Sequence, residues 1–168
     1  MTRRLTLVAL ASTALVSLAG CSDDDDEDGA RRAATQYAID VERVSDDADR
    51  ASQQALVTLN KVADDSIASG EAIDALEANS ERIARESKAL GELMPPEPAA
   101  QTADDLAGQL DALARDLSFA ATDVRVAEKG EGDLATAGRS NARVVLASSS
   151  SASALSRALR ALAVESAD

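Results

Sequence analysis

Histidine and tryptophan are absent from this 168-residue chain, cysteine occurs once, and Tyr37 and Phe119 are the only aromatic side chains. Without histidine there is neither the usual general base at neutral pH nor the commonest metal ligand, and a single cysteine excludes an internal disulfide. No cofactor or metal is expected. Scarce aromatics also remove the stacking platforms on which a sugar-cleaving site is built. Positive charge is short: 17 Lys and Arg face 30 Asp and Glu, a formal charge of −13. A nucleic-acid partner is not expected, because phosphate attracts the opposite sign. The three prolines, Pro95, Pro96 and Pro98, fall in one short stretch, which leaves long helices uninterrupted elsewhere. Past Gly20, 148 residues remain, 33 of them Ala and 14 Leu. That is enough for one small domain with a thin, Leu-based core.

The N-terminus has a charged start (Arg3, Arg4), an apolar stretch from Leu5 to Leu18, and then Leu18-Ala19-Gly20-Cys21. The stretch is short and polar chain follows at once, so residues 1–20 read as an export signal rather than a spanning helix. Leu18, Ala19, Gly20 and Cys21 resemble the lipobox of bacterial lipoproteins. The resemblance implies that diacylglycerol is attached to the Cys21 thiol, that cleavage precedes it, and that an N-acyl lipid can be added to the new terminus. The expected location is the cell membrane, lipid-anchored on its extracytoplasmic face, with the bilayer as the first partner. Arg outnumbers Lys by 14 to 3, and Ala and Asp are abundant, as in proteins of GC-rich bacteria, which suggests a Gram-positive host.

Residues 21–29 read as the lipidated cysteine and an acidic linker. Asp23 to Asp28 form an unbroken acidic block closed by Gly29, and a block of like charge is expected to stay extended and solvated. Asp24, Asp26, Asp28 and Gly29 match the first half of an EF-hand loop, but its twelfth position, where a bidentate Glu belongs, is Thr35. A spacer that repels anionic headgroups is the simpler reading.

Residues 30–168 show only helical periodicity. A first helix is expected from about Ala30 to Ala68, with Tyr37, Val41, Val44, Ala48, Ala51 and Ala55 on its seam and Leu59 and Val62 after a stutter. Ser69-Gly70 should end it. A second, from about Glu71 to Leu93, places Ile73, Leu76, Ser80, Ile83, Ser87, Leu90 and Met94 in heptad register, and Pro95-Pro96 stops it. A third, from about Pro98 to Glu128, aligns Ala99, Ala103, Leu106, Leu110, Leu113, Leu117, Ala120, Val124 and Ala127. After the Lys129 to Gly132 turn, Asp133 is a candidate N-cap for a fourth helix to about Val164. Its expected face is Leu134, Ala137, Val144, Leu155, Ala158 and Leu162. Three tight connections argue for an all-α, antiparallel up-down four-helix bundle with coiled-coil-like packing.

Ser80 and Ser87 on the second helix, with Asn141, Ser148 and Ser151 on the fourth, are the candidate site residues. They are expected to form a polar layer or binding groove inside the bundle, or a small-residue patch that fixes register and lets helices approach. Gly138-Arg139-Ser140-Asn141-Ala142 resembles a nucleophile elbow only superficially, since that motif needs a strand-to-helix turn and a histidine. Tyr37 should pack at the bundle mouth with its hydroxyl in water. Phe119, one residue off its seam, either flanks the core or projects as an anchor.

The lipobox, the acidic block, the Pro-Pro break and the Gly132-Asp133 turn together resemble the small all-helical lipoproteins of GC-rich Gram-positive bacteria. The resemblance implies a non-enzymatic, membrane-anchored interaction module of the cell envelope, whose partner is another envelope protein or a second copy. A small-ligand or lipid-binding sensor bundle and a passive envelope spacer are the alternatives.

Overall fold

The computed structural model describes residues 23–167, with side chains from Glu27 onward. The lipobox residues Leu18, Ala19, Gly20 and Cys21 therefore lie outside the described residues. Four long helices make up the bundle: α1 (Asp23–Ala63), α2 (Ser69–Gly91), α3 (Ala100–Val126) and α4 (Leu134–Glu165). A 3-10 turn at Glu97–Ala99 leads into α3, and a wide turn at Ala127–Glu131 leaves it. No strand occurs among the described residues. Each helix packs on its sequence neighbours, α4 closes the ring on α1, and α1 and α3 barely touch across the middle.

Three expectations about the ends of α1 and α2 need correction. The acidic block is not an extended linker: Asp23 to Asp28 form the first turns of α1. Carboxylates at a helix N-terminus face the positive end of the backbone dipole, and cations one turn on offset their mutual repulsion. Arg32 lies 4.0 Å from Asp28. At the other end Ser69-Gly70 does not stop α1 but opens α2. The stop comes at Asp64 and Asp65, where Asp65 takes a left-handed φ of 54° and the Ser66 N–H donates to the Lys61 carbonyl at 2.8 Å. That six-to-one bond closes the helix end in the way a glycine usually does. Finally, α2 ends at Gly91, before Met94 can continue its seam, so Met94 is 91% exposed.

The seams of α1 and α3 are buried as the periodicity indicates, from Tyr37 to Val62 and from Ala99 to Ala127. Leu106, Leu110, Leu113 and Leu117 make α3 the hydrophobic spine; each buried leucine contributes about 1.5–3 kcal/mol relative to exposure. In α4 the buried line is rotated by roughly one residue from the expected face. It runs through Gly138, Asn141, Val145, Ser149, Ala152, Ser156, Leu159 and Ala163. Val144 is 46% exposed, Ala158 is exposed, and Leu134, Ala137, Leu155 and Leu162 are half-buried at the margin.

Close approach of α1 is the physical reason. A β-carbon on Gly138 would fall 2.7 Å from both the Leu59 carbonyl oxygen and the Ala63 backbone nitrogen. Small residues are needed where the backbones come closest, so Gly138, Ser149, Ala152 and Ser156 share the buried line with Val145 and Leu159 while the other leucines of α4 lie off it. Gly138 thus serves packing inside a helix, not a nucleophile elbow. Along this seam, Glu42, Ser45 and Asp49 of α1 bond Arg160, Ser156 and Ser153 of α4, so residue numbers rise on one helix as they fall on the other. The Asp133 carboxylate caps α4, accepting from the Thr136 N–H at 2.6 Å, and the Thr136 hydroxyl, together with this N–H, holds its carboxyl below the usual carboxylate range.

Candidate functional site

The five residues expected to share a polar layer are separated by the fold. The Ser80 hydroxyl donates to the Ala114 carbonyl at 2.7 Å and that of Ser87 to the Ala107 carbonyl at 3.0 Å, so both face α3. Asn141 and Ser148 reach α3 from its other side: Asn141 Nδ2 donates to Asp123 at 3.0 Å, and Ser148 donates to Asp116 at 2.5 Å. Ser151 is exposed and donates to the Ala147 carbonyl of its own helix at 3.2 Å. Because α3 stands between α2 and α4, no common layer forms from the two sets. They tie α3 to its neighbours instead.

The buried polar seam lies between α1 and α4. Ser156 donates to Ser45 Oγ at 2.5 Å, Ser45 donates on to the Val41 carbonyl at 2.7 Å, and Ser52 donates to the Ala48 carbonyl at 2.8 Å. Ser149 completes the set, donating to the Leu146 carbonyl at 3.1 Å. The sequence signal was present in Ser45 and Ser52, and again in Ser149 and Ser156, each pair one heptad apart. Buried hydroxyls that return their protons to backbone carbonyls cost little. A narrow cleft of about 10 Å³ lies between this seam and Leu106 and Leu110, room for about one water.

The larger spaces are outside. Two grooves of about 320 and 410 Å³ run along the outer edge of the α1–α4 seam and share Leu56 and Leu146. Asp49, Gln53, Ser150 and Arg157 line the first, and Asn60, Arg139 and Arg143 the second. Leu146 is 55% exposed at their junction. Among the described residues, no carboxylate lies within 4 Å of the Arg139, Arg143 or Arg157 guanidinium, whereas Arg43, Arg50, Arg82, Arg125 and Arg160 all have one. A smaller groove of about 280 Å³ between α2 and α3 is lined by Ser80, Asp111, Arg115 and Ser118. Phe119 is 66% exposed and projects from α3 rather than flanking the core.

Among the described residues, two side-chain polar atoms are buried without a hydrogen-bond partner, Tyr37 Oη and Glu86 Oε2. The Tyr37 hydroxyl, expected to reach water at the bundle mouth, is instead closed in. Burial, with Asp104 adding to it, pushes it up to about 12. Burial also raises the Glu86 carboxyl, as does Asp47, against the pull of Arg43, Arg82 and Arg85.

Among the described residues no three Cys, Asp or Glu side chains gather in an arrangement that would hold a metal. Thr35, at the place of the missing calcium ligand, donates to the Arg31 carbonyl at 2.9 Å. No helix among the described residues is long and apolar enough to cross a membrane. In comparison with known proteins, no family model matches the chain, and neither a curated protein nor a solved structure is similar to it.

Proposed function

We propose that this chain is a membrane-anchored extracytoplasmic lipoprotein of the cell envelope whose helical domain is a non-enzymatic interaction module. The anchor is read from Leu18-Ala19-Gly20-Cys21 after an apolar leader; Cys21 would carry diacylglycerol. We read the domain as an antiparallel up-down four-helix bundle, supported by the opposed numbering of the Glu42–Arg160, Ser45–Ser156 and Asp49–Ser153 pairs. The short connections and the ring of neighbouring helices support the same reading.

The observation that carries the module reading is the contrast between inside and outside. The cleft at the Ser45–Ser156 seam holds about 10 Å³, too little for an organic ligand, whereas the open grooves along α1 and α4 hold about 320 and 410 Å³. Recognition on the outer surface is favoured over an internal ligand. With α1 starting at Asp23, the helix follows the anchor at once, and the bundle stands on it without a long flexible spacer.

Fatty-acid labelling of the full chain in its host tests the anchor. Label and membrane retention are expected for the natural chain and lost in Cys21→Ala; equal labelling of both would overturn it. In-cell cross-linking of the tagged, full chain tests the module. One abundant envelope protein, recovered from the natural chain and lost when Cys21→Ala misplaces it, is expected; no protein partner from any face would remove the reading.

A further inference from the structure

We infer that the groove between α1 and α4 docks an acidic amphipathic helix of the partner, an inference that rests on the interaction-module reading. The chain as a whole is strongly acidic, at −13, and among the described residues Arg32, Arg43, Arg50, Arg82, Arg85, Arg125 and Arg160 each have a carboxylate within 4.0 Å. Arg139, Arg143 and Arg157 are exposed, line the same continuous groove, and have no carboxylate within 4 Å among the described residues. Between them, at the junction, sit Leu56 and Leu146. The pattern is cationic at the Arg139–Arg143 end, apolar in the middle, and mixed at the other end, where Arg157 shares the lining with Asp49.

The complement of such a surface is a segment with carboxylates concentrated where it meets Arg139 and Arg143, fewer opposite Arg157, and an apolar stripe between. From Arg139 to Arg157 is 18 residues of α4, or about 27 Å of helix, so an occupant of about five turns spans it. Two adjacent helices of a bundle present a furrow into which the side-chain ridge of a third helix fits. A flat anionic bilayer fits less well, because only Leu146 of the leucine pair is exposed, Leu56 being half-buried between the two helices. Elsewhere on this acidic molecule an acidic helix would be repelled, so the local charge both steers the partner and fixes where it lands.

The test uses the full chain in detergent micelles and a dye-labelled 20-residue helical peptide with Leu at every third or fourth position and Glu elsewhere. A Lys-for-Glu counterpart and phosphatidylglycerol vesicles with neutral-lipid controls complete the set. Saturable binding of the acidic peptide that weakens with salt is expected. Arg139→Glu with Arg143→Glu should weaken it about tenfold or more and transfer preference to the basic peptide. Arg157→Glu alone should weaken it less, and Leu146→Ala should weaken it without altering the salt dependence.

Equal binding of both peptides, affinity insensitive to the arginine reversals, or uptake by anionic vesicles with no peptide binding would each overturn the inference. Circular dichroism confirms that each variant is helical. If cross-linking in cells captures a partner equally well from chains with and without the arginine reversals, the groove is overturned while the module reading stands. Loss of every partner from every face overturns the module reading itself.

Discussion

Gly138 of α4 and Leu59 of α1 approach so closely that a β-carbon added to the glycine would lie 2.7 Å from the leucine carbonyl oxygen. This contact sets the rotation of α4. With the two backbones nearly touching at the Gly138 end, the next residues to face α1 along the helix are Val145, Ser149, Ala152 and Ser156. Leu134, Leu155 and Leu162 are left at the margins, and the outer edge opens as the arginine-lined groove.

Gly138→Ala should therefore reverse the usual sign of a glycine-to-alanine change in a helix. Alanine ordinarily gains up to about 1 kcal/mol in a helix interior by restricting the unfolded chain. At Gly138 both clashing atoms are backbone, so one helix must move, and a loss of about 1–3 kcal/mol is expected. Gly108 of α3 is the internal control, because nothing lies within 4 Å of its would-be β-carbon. Gly108→Ala should stabilise by about 0.5–1 kcal/mol. Urea unfolding of the two variants beside the natural chain decides it; equal effects of the same sign would refute the close-approach argument.

The legibility of the fold follows the same division. The α3 seam is readable because leucines at heptad spacing carry a strong apolar signal, and all four of its central leucines are buried. The α4 seam is not, because apart from Val145 and Leu159 its buried positions are Gly, Asn, Ser and Ala, while its exposed or marginal positions include Val144 and Leu155. Apolarity marks what must leave water, but not which face a close neighbour leaves room for. The acidic block misleads for a related reason: like charges predict extension until the field of the helix terminus they occupy is counted. The expected polar layer failed because heptad spacing sets the face of each helix but not which helices are neighbours. The arginine groove combines residues from two helices far apart in sequence, and that no carboxylate among the described residues lies within 4 Å of Arg139, Arg143 or Arg157 emerges only when the helices are packed.

Tyr37 yields a prediction at the far end of α1. Its ring is buried, but its hydroxyl has no partner, so the desolvation of that group is uncompensated. Tyr37→Phe should keep the packing, remove the orphan and stabilise the domain by about 1 kcal/mol. The folded phenol ionises at about 12 rather than 10.0. A raised folded value means that the native state holds its proton more tightly, so this contribution is intact below pH 10 and is lost as pH rises towards 12. Absorbance titration of the only tyrosine should show the late transition in the folded chain. Ionisation near 10, or a destabilised phenylalanine variant, would refute the closed environment.

Glu86 should make the acidic limb of the stability profile run against the usual direction for a carboxylate. Arg43 lies 3.9 Å from its carboxylate, too far for a hydrogen bond, and Arg82 is engaged by Asp47 at 3.2 Å. Burial then leads and the pKa rises above 4.5. Between that value and the raised one the native state binds more protons than the unfolded chain, so the contribution of Glu86 to stability declines as pH increases through this window. Glu86→Gln should remove that decline and be neutral or stabilising at pH 7. Parallel melts from pH 4 to 7 check it, and a glutamine variant that loses stability at pH 7 would show that the Arg43 pair outweighs the burial.

Asp65 carries two separable burdens. It holds a left-handed φ of 54° directly after α1, a conformation that costs an L-residue about 1–2 kcal/mol and glycine almost nothing, though aspartate tolerates it better than most. Its negative charge also sits at the helix C-terminus, beside Asp64, where the backbone dipole is itself negative. Asp65→Asn removes only the charge, whereas Asp65→Gly removes the charge and relieves the backbone. The asparagine variant should gain about 0.3–0.5 kcal/mol, most visibly at low salt, and the glycine variant should gain a further 0.5 kcal/mol or so that is insensitive to salt. Asp65→Val should lose about 1–2 kcal/mol, since a branched side chain resists that backbone geometry. Thermal melts at two salt concentrations separate the terms. A glycine variant no more stable than the asparagine one would mean that the turn after α1 bears no conformational strain, and that charge alone governs this helix end.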